Sequence, residues 1–289
     1  MVSRMRKNRK VVVGHWADEA AQSKIADWMR VCAGWADSQN MLIIRFGDNM
    51  NNVAVTDGDK VEAELRLGYH VDNAPIATLV PYVEAVTQEE IDALIAEYEK
   101  NYDFADDCKK GTEKHQHVRN AAAQEIGLRR FLEDKGAKAF TTSFNELEGM
   151  TQLMGFDSQR LMAEGYGFGA EGDWKTAALV RTMWVMGQGL PGGQSFLEDY
   201  TLNFDGENST ILQSHMLEIN PDITGTKPRI EVHFLGIGDA GTCARLVFQA
   251  HKGKGVAATI VDMGNRFRMI VNEVDVIDPK PLPKLPVAC

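Results

Sequence analysis

The sequence predicts a Rossmann-like or flavodoxin-like α/β domain followed by a mainly antiparallel β domain, a barrel or a sandwich. Two observations carry this. Up to residue 190, apolar residues recur alternately at strand and at helical spacing. Past Pro191–Gly193, six short β-rich runs follow one another with only turns between them. The 289 residues suffice for one large domain or two ordinary ones.

The elements are taken in chain order. Arg9 to Gly14 reads as a strand. Asp18 to Ala33 reads as a helix with Ile25, Trp28, Met29 and Cys32 on one apolar face. Met41 to Phe46, closed by Gly47, has the continuous apolar run of a buried strand. Thr87 to Glu90 is a capping box that opens a helix through Ile91, Leu94, Ile95 and Tyr98. Thr112 to Leu132 reads as a second long helix, Ala137 to Phe144 as a strand, Gln159 to Glu164 as helical and Trp174 to Met186 as a helix. Gly187-Gln188-Gly189 ends that last helix. The predicted β segments are then 196–204, 211–219, 229–235, 244–249, 256–261 and 266–274. Turns are expected at Asp205-Gly206, Asn220-Pro221-Asp222, Lys252-Gly253 and Met263-Gly264-Asn265.

Composition bounds the function. The net charge of −10 disfavours a nucleic-acid or acidic-membrane partner, because the field of the whole protein repels phosphates. It does not oppose a metal cation or a neutral sugar. The basic first ten residues are followed by Val11 to Val13 and then at once by Gly14, His15 and Trp16. A secretion signal needs a longer apolar stretch, so no signal peptide is expected. No apolar run is long enough to span a bilayer. Cys32, Cys108, Cys243 and Cys289 are scattered, which reads as reduced thiols rather than a disulfide framework.

Three residues stand out chemically. Glu171 lies in a glycine-dense turn, Gly165 to Lys175, that runs into a helix. Glu198 lies just past the glycine-rich break, and His215 on the next strand. Two carboxylates and an imidazole form a partial site for a divalent ion such as manganese or cobalt. Taken singly, an acid in a glycine-rich turn or a histidine on a strand is more often structural. Gly165 to Ala170 also fits a loose G-x-G-x-x-A dinucleotide pattern. That pattern needs a strand before it and an acid about 20 residues on, and neither is evident.

The strings themselves resemble the L-arabinose isomerase family. They are GFGAEGDWKTAAL (Gly167 to Leu179), SFLEDY (Ser195 to Tyr200) and SHMLE (Ser214 to Glu218), supported by RFGDNM (Arg45 to Met50), VTDGDK (Val55 to Lys60), HFLGIG (His233 to Gly238) and LPKLPVA (Leu282 to Ala288). The resemblance covers essentially the whole chain. It implies a cytoplasmic, typically hexameric enzyme converting L-arabinose to L-ribulose, and often D-galactose to D-tagatose. It further implies a Mn2+ or Co2+ site that includes Glu171, Glu198 and His215. Glu171 and Glu198 are then the acid/base pair, and Met50, Phe144, Tyr200 and Met216 line the sugar pocket.

By the same resemblance, residues 1–41 are the tail of a first α/β domain, 42–192 a central α/β domain and 193–289 an incomplete β domain. The family's fourth ligand, a histidine of a Gly-Ala-His-His-like segment, has no counterpart here, and His233 and His251 are poor substitutes. The alternative is therefore a non-catalytic sugar- or metal-binding remnant. An incomplete barrel would leave the strand near residues 266–274 with an unpaired edge, favouring self-association.

Overall fold

The computed structural model describes residues 2–50, 52–145, 147–236 and 241–278. Ile237, Gly238 and the motif Leu282 to Ala288 lie outside the described residues, as does Cys289. At its centre is a four-stranded parallel sheet in the order β2-β1-β4-β5, built from β1 (Met41–Phe46), β2 (Tyr69–Ala74), β4 (Ala139–Thr141) and β5 (Gly167–Gly169). The two-residue β3 (Asp103–Phe104) pairs elsewhere.

Alternation along β1 explains the layers. Met41 and Ile43 point to one face of the sheet, where they meet Ala139, Trp174, Ala177 and Ala178. Ile44 and Phe46 point to the other, against Leu128, Phe131, Phe140 and Phe168. The first face is covered by α2 (Lys60–Leu67) and α7 (Trp174–Gly187). The second is covered by α3 (Val80–Glu84), α5 (His115–Lys135) and α6 (Phe156–Ala163). A run that must be apolar on both faces is what a central parallel strand requires.

Helix ends follow local chemistry. The expected capping box forms at α4 (Gln88–Asn101): the Thr87 hydroxyl accepts from the Glu90 N–H, and the Glu90 carboxylate accepts from the Thr87 N–H at 2.9 Å. Asp59 caps α2, and Gly68, at φ +82°, closes it.

Among the described residues the β-rich part forms three small sheets. Strands β6 (Glu198–Asn203) and β7 (Thr210–Ser214) form one hairpin, and β10 (Gly253–Asp262) and β11 (Phe267–Val276) another. Strand β8 (Arg229–Leu235) pairs antiparallel with β9 (Gly241–Val247) and parallel with β3. Ile230, Val232, Ala244 and Leu246 of that sheet share a core with Ile91, Ile95, Tyr98, Val118 and Ala122 of α4 and α5. The parts before and after Pro191 are thus joined by buried apolar surface.

Two expectations change at the N-terminal end. Residues 9–14 form no strand. The first helix, α1 (Glu19–Ser38), does form, but Ile25, Met29 and Cys32 on its expected core face are exposed, and it buries Ala21, Gly34 and Ser38 instead. Gly34 allows this approach: a Cβ there would meet the Met186 side chain at 2.8 Å. Among the described residues the β strands form no closed barrel. Among the described residues each strand of the β10–β11 hairpin pairs only with the other, and Met269, Ile270 and Val271 are exposed. No helix among the described residues is long and apolar enough to cross a membrane. Cys32, Cys108 and Cys243 are free thiols.

Candidate active site

The strand order places a site. β2 lies on one side of β1 and β4 on the other, so the chain leaves the carboxyl ends of β1 and β4 in opposite directions and opens a crevice between them. Met50 follows β1, Phe144 follows β4 and Glu171 follows β5, all at that edge. Arg45, buried at the end of β1, steadies the first of these turns through Asn73 Oδ1 at 3.0 Å and Asp48 at 2.8 Å.

The turn carrying Glu171 is fixed by glycines. A Cβ at Gly167 would lie 2.1 Å from the Ala177 carbonyl, and one at Gly169 2.5 Å from that of Asp173. These glycines let β5 touch α7. The Asp173 carboxylate caps α7 by accepting from the N–H groups of Lys175 and Thr176, both at 3.0 Å. That helix terminus already has its anion, so the glycine pattern is explained by packing rather than by a dinucleotide.

The β6–β7 hairpin supplies the remaining groups. Glu198 is paired with Ser214, and His215 follows immediately. A register shift between Asp199 and Thr201 makes Tyr200 the bulged residue and turns its ring toward His215, with centroids 6.1 Å apart. His215 Nε2 lies 3.5 Å from Glu198 Oε2. The Phe144 ring stacks at 6.0 Å from the imidazole, and Phe196 meets it edge-on at 5.0 Å. Met50, Phe144 and Met216 belong to one apolar cluster with Leu153, Leu217 and Leu235. The structure therefore gathers Glu198, His215, Met50, Phe144, Tyr200 and Met216 in one place.

Glu171 joins them electrostatically. Burial, and then the Glu198 carboxylate, push its pKa above the ordinary value. Burial works against a charged His215, but Glu218, with Glu198 and Glu171 beyond it, outweighs burial and raises its pKa. Burial and Glu198 push the Tyr200 phenol up to about 12. His233 pairs instead with Glu231 at 2.6 Å, and His251 is exposed.

As the side chains stand, no three His, Cys, Asp or Glu groups among the described residues are arranged to hold a metal ion. The donor chemistry nevertheless suits a divalent cation. Oxygen and imidazole donors are the right type. The field at the imidazole is dominated by three carboxylates, and Glu218 Oε1 is buried without a hydrogen-bond partner.

Glu218 is a member of the site that motif reading did not single out. Its Oε2 bonds to His215 Nδ1 at 2.7 Å, and the residue is 1% exposed. Its spacing from the histidine, three residues on, was the available signal.

Family models of the L-arabinose isomerase N-terminal, central and C-terminal domains match residues 1–40, 42–189 and 193–289 in turn. An L-arabinose isomerase of Bacteroides thetaiotaomicron is 64% identical over 99% of the chain, and one of Phocaeicola vulgatus is 63% identical over 99%. One of Tolumonas auensis is 53% identical over the whole chain. These matches define a sugar isomerase family. The chain belongs to the L-arabinose isomerase family. It spans 58% of the length of each of these three relatives.

Proposed function

We propose that the protein is an aldose–ketose isomerase that interconverts L-arabinose and L-ribulose, and D-galactose and D-tagatose, using Mn2+ or Co2+. The observation that carries this is the meeting of Glu198 and His215 at 3.5 Å, with Glu171, at the carboxyl edge of the parallel sheet, feeling the charge of both.

Glu171, Glu198 and His215 would hold the cation, which supplies polarisation of the sugar's carbonyl and hydroxyl oxygens. The chain's own residues do the rest. One glutamate takes the proton from C2 of the open-chain aldose and returns it to C1. The other exchanges the proton that must leave O2 and reach O1, through a cis-enediol. Both ends of the reaction are neutral, so the pair finishes as it began. Burial and the Glu198 carboxylate raise the pKa of Glu171, which suits a carboxyl group that takes up and gives up a proton in the reaction. Met50, Phe144 and Met216 offer an apolar wall to the sugar carbons, and the Tyr200 hydroxyl a hydrogen-bond donor. The pairing of β11 on one side among the described residues, and its exposed apolar residues, favour a homo-oligomer.

Ketose formation from L-arabinose with added Mn2+ tests the proposal, with Glu171→Gln and Glu198→Gln alongside. Loss of about 10²–10⁴-fold in each variant is expected. Mn2+ binding without turnover would favour a non-catalytic metal- and sugar-binding protein.

A further inference from the structure

Glu218 has a local geometry that demands an explanation. Its backbone is left-handed, φ +54°, which costs a residue with a Cβ roughly 1–2 kcal/mol. The segment around it is held there from several sides. Arg245 Nη1 donates to the Met216 carbonyl at 2.8 Å, and Gln159 Nε2 to that of Ile219 at 2.9 Å. Asn220 Nδ2 donates to the Gln194 carbonyl at 2.7 Å, tying the segment to the approach to β6.

The consequence falls on His215. Its Nδ1 faces two acceptors, Glu218 Oε2 at 2.7 Å and the Leu217 carbonyl at 3.2 Å. A neutral imidazole between such groups keeps its proton on Nδ1. Nε2 is then a bare lone pair, and it is the nitrogen facing Glu198.

We propose that Glu218 is a positioning residue that holds His215 in the Nδ1–H tautomer, with Nε2 directed at Glu198 and free to bind a cation. This rests on the reading of His215 as a metal ligand. A purely structural Glu218 would support the turn but leave the tautomer indifferent. A carboxylate behind a ligating imidazole both selects the tautomer and strengthens the donor, and its loss typically costs 10–100-fold in metal affinity.

The test uses long-range 1H–15N correlation spectra of the metal-free chain, at a pH where His215 is neutral. The His215 signals are assigned by their loss in His215→Gln. Calorimetry with Mn2+ accompanies the spectra. In the unaltered chain Nδ1 should carry the proton and Nε2 should not. In Glu218→Leu, and more mildly in the isosteric Glu218→Gln, the Nε2–H form should gain population. Mn2+ affinity should fall 10–100-fold in Glu218→Leu. An Nε2–H tautomer in the unaltered chain, or a tautomer unchanged in a folded Glu218→Leu, overturns the proposal. If His215→Gln binds Mn2+ as well as the unaltered chain, the ligand reading falls instead, while the spectra still decide the role of Glu218 in the tautomer.

Discussion

The main-chain N–H of Met50 donates to the carbonyl of Glu171 at 3.3 Å, joining the turn after β1 to the turn after β5 across the intervening β4. Met50 and Glu171, 121 positions apart, are thereby held in one frame. The contact depends on Gly172, which follows Glu171 at φ +85°.

Gly172→Ala tests that frame. A Cβ at this position would lie 2.5 Å from the Asn49 Cα. The left-handed backbone alone costs roughly 1–2 kcal/mol for alanine, and the clash adds to it. Urea unfolding should show at least that loss, and calorimetry should show weakened Mn2+ binding. Unaltered stability and binding would mean that the turn is free to move.

Lys175 carries a second link. It is 1% exposed, and its Nζ donates to the carbonyls of Thr56 and Asp57 at 2.8 and 2.7 Å. Lys175→Met keeps the apolar stem and strands both carbonyls. A loss of about 2–3 kcal/mol in urea unfolding is expected. A change below about 0.5 kcal/mol would show that water replaces the amine without cost.

Asp157 predicts a pH dependence. It is buried in α6, and burial, followed by the Glu125 carboxylate, raises its pKa well above the ordinary value. The folded state therefore holds this proton more tightly than the unfolded state. The resulting stability is complete below the unfolded carboxylate pKa and is lost as pH rises toward the raised one. Asp157→Asn cannot ionise. Relative to the unaltered chain it should gain stability from pH 4 to pH 8, with a slope of at most about 1.4 kcal/mol per pH unit. A difference that does not vary with pH would refute this.

Tyr200 separates binding from chemistry. Its phenol, pushed up to about 12, remains a hydrogen-bond donor across the working range. Tyr200→Phe should raise KM for the sugar about 3–10-fold, with kcat little changed, the cost of one hydrogen bond made equally in ground and transition states. An equal fall in kcat would instead assign the hydroxyl to the transition state.

Elements with a strong local signal were legible from sequence. β1 and β8 have the predicted bounds because their residues are apolar in the pattern that burial demands. α4 begins where its capping box says. Weak signals were missed. β2, Tyr-His-Val-Asp-Asn-Ala, is an edge strand whose polar residues carry no run of hydrophobicity. α2 was announced only by Asp59 and Gly68 at its two ends. The motif glycines at 167 and 169 read as a loop, yet they form β5, because close helix approach excludes a side chain. Residues 9–14 have strand composition but no neighbouring strand to pair with among the described residues.

Sequence alone determined the family, the buried strand β1 and the identity of Glu171, Glu198 and His215 as the residues to watch, since motif strings and apolar runs are local properties. Only the tertiary structure decided that Glu198 and His215 meet, that Glu171 feels their charge, and that Glu218 stands behind the imidazole. Those relations come from strand order, a bulge at Tyr200 and two left-handed turns. Each is fixed by packing between segments far apart in the chain, where local spacing carries no information.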